Sequence, residues 1–431
     1  MTERTIRVDY IARVEGEGAL RVRIRDRSVE EVELRIFEPP RFFEALLRGR
    51  QYTEAPDITA RICGICPVAY QMSSCHAMER ALGLVPPPAV RALRRLLYCG
   101  EWIESHALHV YLLHAPDFLG VPDAIHLARD HSDLVERGLK LKQAGNALMT
   151  LLGGREIHPV NVRVGGFYRA PAREELTALR PLLERALGWA EETARFAATL
   201  DFPDVEQEYE FVSLRHPDEY PMNEGELVSS RGLRIPVDRY ESEFEEVQAP
   251  YSHALQSVRR GGGSYLVGPL ARYALNRDRL LPRADAIARA VGLEPVVTNP
   301  YRSVIVRAVE MVQACADALA IVDAYRRPEV AAVDPTGPIG PSEGCAATEA
   351  PRGLLYHRYR LGAGGAIEDA KIVAPTSQNQ KRIEDDLRVL VGRSIDLPEA
   401  DLTSACERAI RNHDPCISCA THFLTLDLVR E

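Results

Sequence analysis

Apolar and polar residues alternate along the first forty positions. Ile6, Val8 and Tyr10 form one such set, Leu20, Val22 and Ile24 a second, Val32, Leu34 and Ile36 a third. Period two is the mark of strands with one buried face, and Arg25-Asp26-Arg27-Ser28 reads as the hairpin between the last two. After Pro39-Pro40 the period becomes helical, with Phe42, Phe43, Leu46 and Leu47 clustered. From 67 to 200 the chain reads mostly as helix. Pro86-Pro87-Pro88 opens a segment over 89–113 that Pro116 ends, and further helices fit 135–152 and 174–200. Residues 201–275 are richer in Pro, Gly, Tyr and Val and read as loops with short strands, Gly261-Gly262-Gly263 being a turn. Helices return at 282–291 and 304–325. A Gly/Pro-rich loop covers 334–344, strands are expected at 354–360 and 371–373, and helices at 378–391 and 402–412.

The pattern predicts an α+β fold, mainly helical. A long-helix core (67–200) is joined by an N-terminal β portion (1–38), a loop and β insertion (201–275) and a helical C-terminal part (280–431). There is no repeat and no low-complexity linker, so 1–431 reads as one interlocked unit, although the length alone allows two or three domains.

The net charge is −9, with both signs mixed along the chain. No basic cluster suggests a nucleic-acid surface. No apolar run reaches membrane-spanning length, and the amino end lacks the pattern of a secretory signal. A cytoplasmic protein is expected, although a passenger exported with a signal-bearing partner would look the same. With no Gly-x-Gly-x-x-Gly and no P-loop, the chain itself is not expected to bind NAD(P), flavin or ATP. His106, His109 and His114 read as core residues satisfied by hydrogen bonds.

Nine cysteines, an odd number in a large chain, do not read as a disulfide framework. Cys75, Cys99, Cys315, Cys345 and Cys406 are scattered and read as buried, inert thiols. The other four form Cys63-Gly-Ile-Cys66 and Cys416-Ile-Ser-Cys419, at opposite ends of the chain. A Cys-x-x-Cys opening a helix places its thiols near amide N–H groups and a positive dipole end, which favours the metal-binding thiolate. Four such sulfurs suit a soft metal. Structural zinc draws on the same ligands, but zinc modules usually take their pairs from neighbouring sequence. A redox dithiol is a third reading.

Arg61-Ile-Cys-Gly-Ile-Cys66 and Asp414-Pro-Cys-Ile-Ser-Cys-Ala-Thr-His422 resemble the two signature motifs of the large, catalytic subunit of nickel–iron hydrogenases. Arg13-Val-Glu-Gly16, Pro116-Asp-Phe118, Thr348-Glu-Ala-Pro-Arg-Gly353 and Ala374-Pro-Thr-Ser377 resemble further family elements in the same order. Gly166-Phe-Tyr168 and Tyr265-Leu-Val-Gly-Pro-Leu270 look most like the cytoplasmic, nucleotide-coupled, sulfhydrogenase alpha-like branch. The resemblance implies that fold, and reversible heterolytic cleavage of dihydrogen. Cys63 and Cys416 would be terminal nickel ligands, and Cys66 and Cys419 would bridge to an iron carrying carbon monoxide and cyanide. Glu15 would take the proton from Cys416. Arg352 would stand over the open metal face, in a buried charge cluster with Asp117 and Asp414. Pro351, Pro375 and Thr376 would line the cyanide environment. Glu44, the carbonyl of Ile372 and His422 would hold magnesium, or iron, at a second site. Implied partners are an iron–sulfur small subunit and diaphorase subunits that bind flavin and NAD(P). Two features depart from the family pattern: Tyr70 stands where many members have a histidine, and nine residues follow His422, where many relatives are cleaved. The competing readings are a non-catalytic relative of the complex I type and a structural four-cysteine metal protein.

Overall fold

The computed structural model describes residues 3–39 and 41–421. The alternating segments form β1 (Glu3–Val8), β2 (Gly18–Arg25) and β3 (Ser28–Ile36), antiparallel in the order β1–β2–β3. Asp26 and Arg27 both take positive φ at the hairpin, as a two-residue turn of matching twist requires. Ile6, Val8, Leu20, Val22, Ile24, Val32 and Leu34 are buried on one face.

α1 (Pro67–Leu82) follows Cys66 and stops at Gly83, whose φ of 65° supplies the left-handed cap. α2 (Pro88–Ala107) continues as a π-helical stretch, Leu108–His114, and a short helix, Ala115–Leu119. Pro116 therefore does not end the helix. It sits in the first turn of the next one, where its missing N–H is harmless.

α3 (Ser132–Gly153) crosses α2 at paired glycines. A Cβ on Gly145 would lie 2.5 Å from the Gly100 carbonyl oxygen, so only glycine permits this approach. The expected helix over 174–200 is divided into Arg173–Thr177 and α4 (Arg180–Ala197), with Pro181 in the first turn of the second piece.

The 201–275 region holds short strands in two small sheets, and α5 (Pro269–Asn276) follows them. α6 (Ser303–Ala324) is buried without a break from Ser303 to Cys315; a helix with apolar residues on all its sides and its few charges paired belongs in a core. It packs against α2 and α4.

A second antiparallel sheet, β4–β5–β6, comprises β4 (Ser342–Ala350), β5 (Gly353–Leu361) and β6 (Ile367–Val373). β4 lies partly where a loop was expected. Its small residues do not alternate, because the strand lies directly on α1: a Cβ on Gly344 would come 2.1 Å from the Ala77 carbonyl oxygen. α7 (Pro375–Arg393) and α8 (Glu399–Asn412) follow, then a short turn of helix at Ile417–Ala420, and Ile383, Leu387, Leu402 and Ile410 cover the apolar face of the first sheet. Among the described residues no helix is long and apolar enough to cross a membrane.

Candidate metal centre

Cys63 and Cys66 lie on the turn that enters α1. The N–H groups of Ile65 and Cys66 both donate to Cys63 Sγ, at 3.3 Å. Glu101 of α2 caps the same helix from outside, accepting from the N–H of Val68 at 2.7 Å and of Ala69 at 3.1 Å. A helix leaves its first N–H groups unpaired, and this buried carboxylate pairs two of them. It thereby fixes the turn that carries the first two sulfurs.

Cys416 and Cys419 follow α8. Asp414 takes a φ of 52°, which turns the chain back toward the N-terminal loop. There the N–H of Ile417 donates to the Glu15 carbonyl at 2.9 Å. The Cys416 N–H donates to the Thr376 hydroxyl at 3.0 Å, leaving that hydroxyl its own hydrogen to donate.

The structure thus brings the two widely separated cysteine pairs to one point. Sγ–Sγ separations are 3.4 Å for Cys63–Cys416, 3.8 Å for Cys66–Cys419 and 2.9 Å for Cys416–Cys419. All four sulfurs lie within 4.8 Å of one another, and all are buried. Hydrogen bonds from Cys416, Cys419 and Cys66 hold the Cys63 thiol well below the usual range, while burial holds Cys416 and Cys419 above it. Four sulfurs this close and this dry cannot all ionise without a cation between them. The donor set therefore fits a soft metal centre. The five scattered cysteines are all buried elsewhere.

Around the sulfurs stand the charged residues. Glu15 accepts from the Cys416 thiol at 3.0 Å and from the Ser418 N–H at 3.1 Å, and burial raises its carboxyl. Arg352, in the turn between β4 and β5, donates through Nε to the Asp414 carbonyl at 2.9 Å and through Nη2 to Asp414 Oδ1 at 3.1 Å. Burial works against its charge, but Asp414 and the sulfurs outweigh it and hold the guanidinium protonated. Asp414 carries a second guanidinium, Arg307 of α6, at 3.3 Å.

Asp117 is not part of this cluster. It pairs with Arg411 at 2.7 Å, Arg13 at 2.5 Å and His114 at 3.1 Å, and its hydrogen bonds with His114 and Arg411 hold its carboxyl well below the usual range against the effect of burial. Asp117 therefore ties the loop that carries Glu15 to the end of α8. The resemblance placed it near the centre; its position along the chain did not reveal its partner.

Pro351 lies beside Arg352 in the tight turn, and Pro375 and Thr376 open α7, all three buried. At the second expected site, Glu44 Oε1 accepts from the N–H of Ile372 at 2.7 Å. In a strand the N–H and carbonyl of one residue point to the same side, so the Ile372 carbonyl lies on the edge of β6 nearer Glu44. His422 lies outside the described residues. The three helical histidines are each paired: His106 with Glu310, His109 with the Arg411 carbonyl, and His114 with Asn412 and Asp117. Tyr70 is wholly buried, and burial together with the nearby Cys419 sulfur raises its phenol.

Sequence reasoning missed Glu101, Arg307, Ser418 and Glu38. A signal existed for Arg307, a charge within the long apolar run of α6. The Ser418 hydroxyl donates to Glu38 at 2.9 Å. Gly16 makes room for this carboxylate, since a Cβ there would come 2.6 Å from Glu38 Oε2.

A family described as nickel-dependent hydrogenase matches residues 41–138 and 236–422. The chain belongs to the nickel-dependent hydrogenase family. It is similar to sulfhydrogenase 1 subunit alpha of Pyrococcus furiosus, 34% identical over 428 residues that cover 98% of each chain. It is also similar to the NAD-reducing hydrogenase HoxS subunit beta of Cupriavidus necator, 26% identical over 98% of this chain and 95% of that one. Among solved structures, an NAD+-reducing [NiFe]-hydrogenase in the H2-reduced state superposes with a TM-score of 0.84 at 27% identity, covering 97% of this chain and 99% of the other. As a hydrogenase the chain is an oxidoreductase acting on dihydrogen, and its four cysteines are clustered for the metal centre of that family. The reading as a structural or non-catalytic relative is set aside.

Proposed function

We propose that this chain is the catalytic subunit of a nickel–iron hydrogenase that cleaves dihydrogen reversibly and heterolytically. Cys63 and Cys416 would hold nickel, and Cys66 and Cys419 would bridge it to an iron carrying carbon monoxide and cyanide. When bound, the centre supplies the Lewis acidity and the redox capacity that dihydrogen cleavage needs.

The chain's own residues supply the rest. Cys416 Sγ is placed to take the released proton, and Glu15 Oε2, at 3.0 Å, to take it onward. Burial raises the Glu15 carboxyl, which strengthens its hold on an arriving proton. Ser418 links this carboxylate to Glu38, its N–H on the one and its hydroxyl on the other. Glu38 is only partly buried and leads to solvent. Arg352 stays charged, and would orient the substrate and donate to a cyanide. Thr376 would donate to the other, and the buried Pro351 and Pro375 would exclude water. Asp414 anchors Arg352. Glu44, the Ile372 carbonyl and His422 would hold magnesium, or iron, at the second site.

Electrons must leave through an iron–sulfur small subunit, because the remaining cysteines are scattered. The NAD-reducing relatives support diaphorase partners and NAD(P) or a similar soluble acceptor, in the cytoplasm. The observation that carries this reading is the Glu15 carboxylate against a sulfur of the four-cysteine cluster. The purified complex, given dihydrogen as its only donor, should reduce a viologen dye, and NAD(P) when the partners are intact. A metal-loaded complex that reduces neither would contradict it.

A further inference from the structure

Behind the turn that carries Arg352 lies a group of charges wholly removed from solvent. Arg272 of α5, Glu310 of α6 and Glu349 of β4 each have fully buried side chains. The Arg272 guanidinium stacks over the Trp102 ring, 4.4 Å from its centroid. Its Nε and Nη2 donate to the two oxygens of Glu310, at 2.8 and 2.7 Å. Nη1 reaches Glu349 at 3.1 Å and the Ala350 carbonyl at 2.8 Å, and Nη2 also reaches the Pro351 carbonyl at 2.9 Å. Glu310 is fixed in turn by the hydroxyl of Tyr220, at 2.8 Å, and by His106, at 2.9 Å. Glu349 accepts from the N–H of Leu214 at 2.7 Å, and Trp102 Nε1 donates to the Glu349 carbonyl at 3.0 Å.

Ala350 and Pro351 are the two residues before Arg352. The other side of the turn is equally confined: a Cβ on Gly268 would come 2.7 Å from the Arg352 carbonyl oxygen, and one on Gly353 would come 2.7 Å from the Gly268 N. Apolar packing of the same volume would stabilise the core at least as well as buried ions. What a planar, five-donor fork adds is direction.

We propose that Arg272 is a positioning residue for the hydrogenase reaction: by clamping the Ala350 and Pro351 carbonyls from α5, it sets where the Arg352 guanidinium stands over the sulfur cluster. Glu310 and Glu349 hold the clamp in register, and Trp102 closes its open face.

This rests on the reading of Arg352 as the group over the open metal face, and the test separates the two. Arg272→Lys keeps a charge but cannot span two carbonyls and two carboxylates. In the assembled, metal-loaded complex it should leave nickel and iron content at the parental level and shift the infrared bands of iron-bound cyanide. It should lower kcat for dihydrogen oxidation between about tenfold and a hundredfold, the scale expected of a misplaced catalytic group. In an Arg352→Lys background the same change should cost less than about twofold, since the group it positions is already gone. Losses that multiply, or a parental kcat in Arg272→Lys with full metal content, would overturn the clamp. A parental kcat in Arg352→Lys alone would instead overturn the reading of Arg352. If Arg272→Lys does not take up metal, Glu310→Gln, which loosens the clamp and leaves Arg272 in place, is read through the same cycle with the same two outcomes.

Discussion

Replacing Cys419 with serine should yield a folded chain that retains no nickel. Cys419 is one of four sulfurs that lie within 4.8 Å of one another, and in the proposed arrangement it serves both metals. A serine hydroxyl is a harder donor and stays protonated where a thiol can lose its proton to a bound metal. Changes merely behind a ligand cost 10- to 100-fold in metal affinity, so losing a shared ligand should cost more than about a hundredfold. Metal analysis of the anaerobically purified variant reads this directly. Cys75→Ser provides the control: Cys75 is equally buried on α1 but stands outside the cluster, and that variant should keep its metal. Parental nickel in Cys419→Ser would remove Cys419 from the ligand set.

Glu15→Gln should leave the centre assembled and nearly stop proton movement. Glutamine keeps the shape and an acceptor oxygen for the Ser418 N–H. It cannot accept the Cys416 proton and pass it on. Removing a positioned proton-transfer group typically costs a factor of about 10² to 10⁴, and isotope exchange between deuterium gas and water should fall on that scale while nickel content stays parental. An unchanged exchange rate would show that protons leave the sulfur cluster without Glu15.

Much of the architecture was legible before any coordinates. Ile6, Val22 and Leu34 gave the first sheet because only one of its faces is buried, and alternation is the signature of that arrangement. β4 was not legible, because Gly344, Ala346 and Ala347 are covered on both faces by α1 and β-structure and show no period. The π-helical stretch after α2 continues the helical pattern of its neighbours and carries no distinct signal. At the site, the four cysteines, Glu15 and Arg352 were found through motifs, since these residues combine chemical type with fixed spacing. Arg272, Arg307 and Glu101 were not, because a buried charge and a solvated one read alike in sequence; only their partners distinguish them. Asp117 shows the complementary failure. Its motif was noticed, but which guanidinium it meets depends on how the Arg13 loop packs against α8, which no local pattern encodes.

The sulfur atoms of residues 63, 66, 416 and 419 converge in space although the chain separates them widely, and one measurement addresses whether they close on a nickel–iron pair. Metal analysis and infrared spectroscopy of a single anaerobic preparation should find nickel in the complex together with absorption bands of iron-bound carbon monoxide and cyanide, both lost in Cys419→Ser. A preparation active with dihydrogen that contains zinc in place of nickel, or shows no such bands, would contradict the assignment of this cluster.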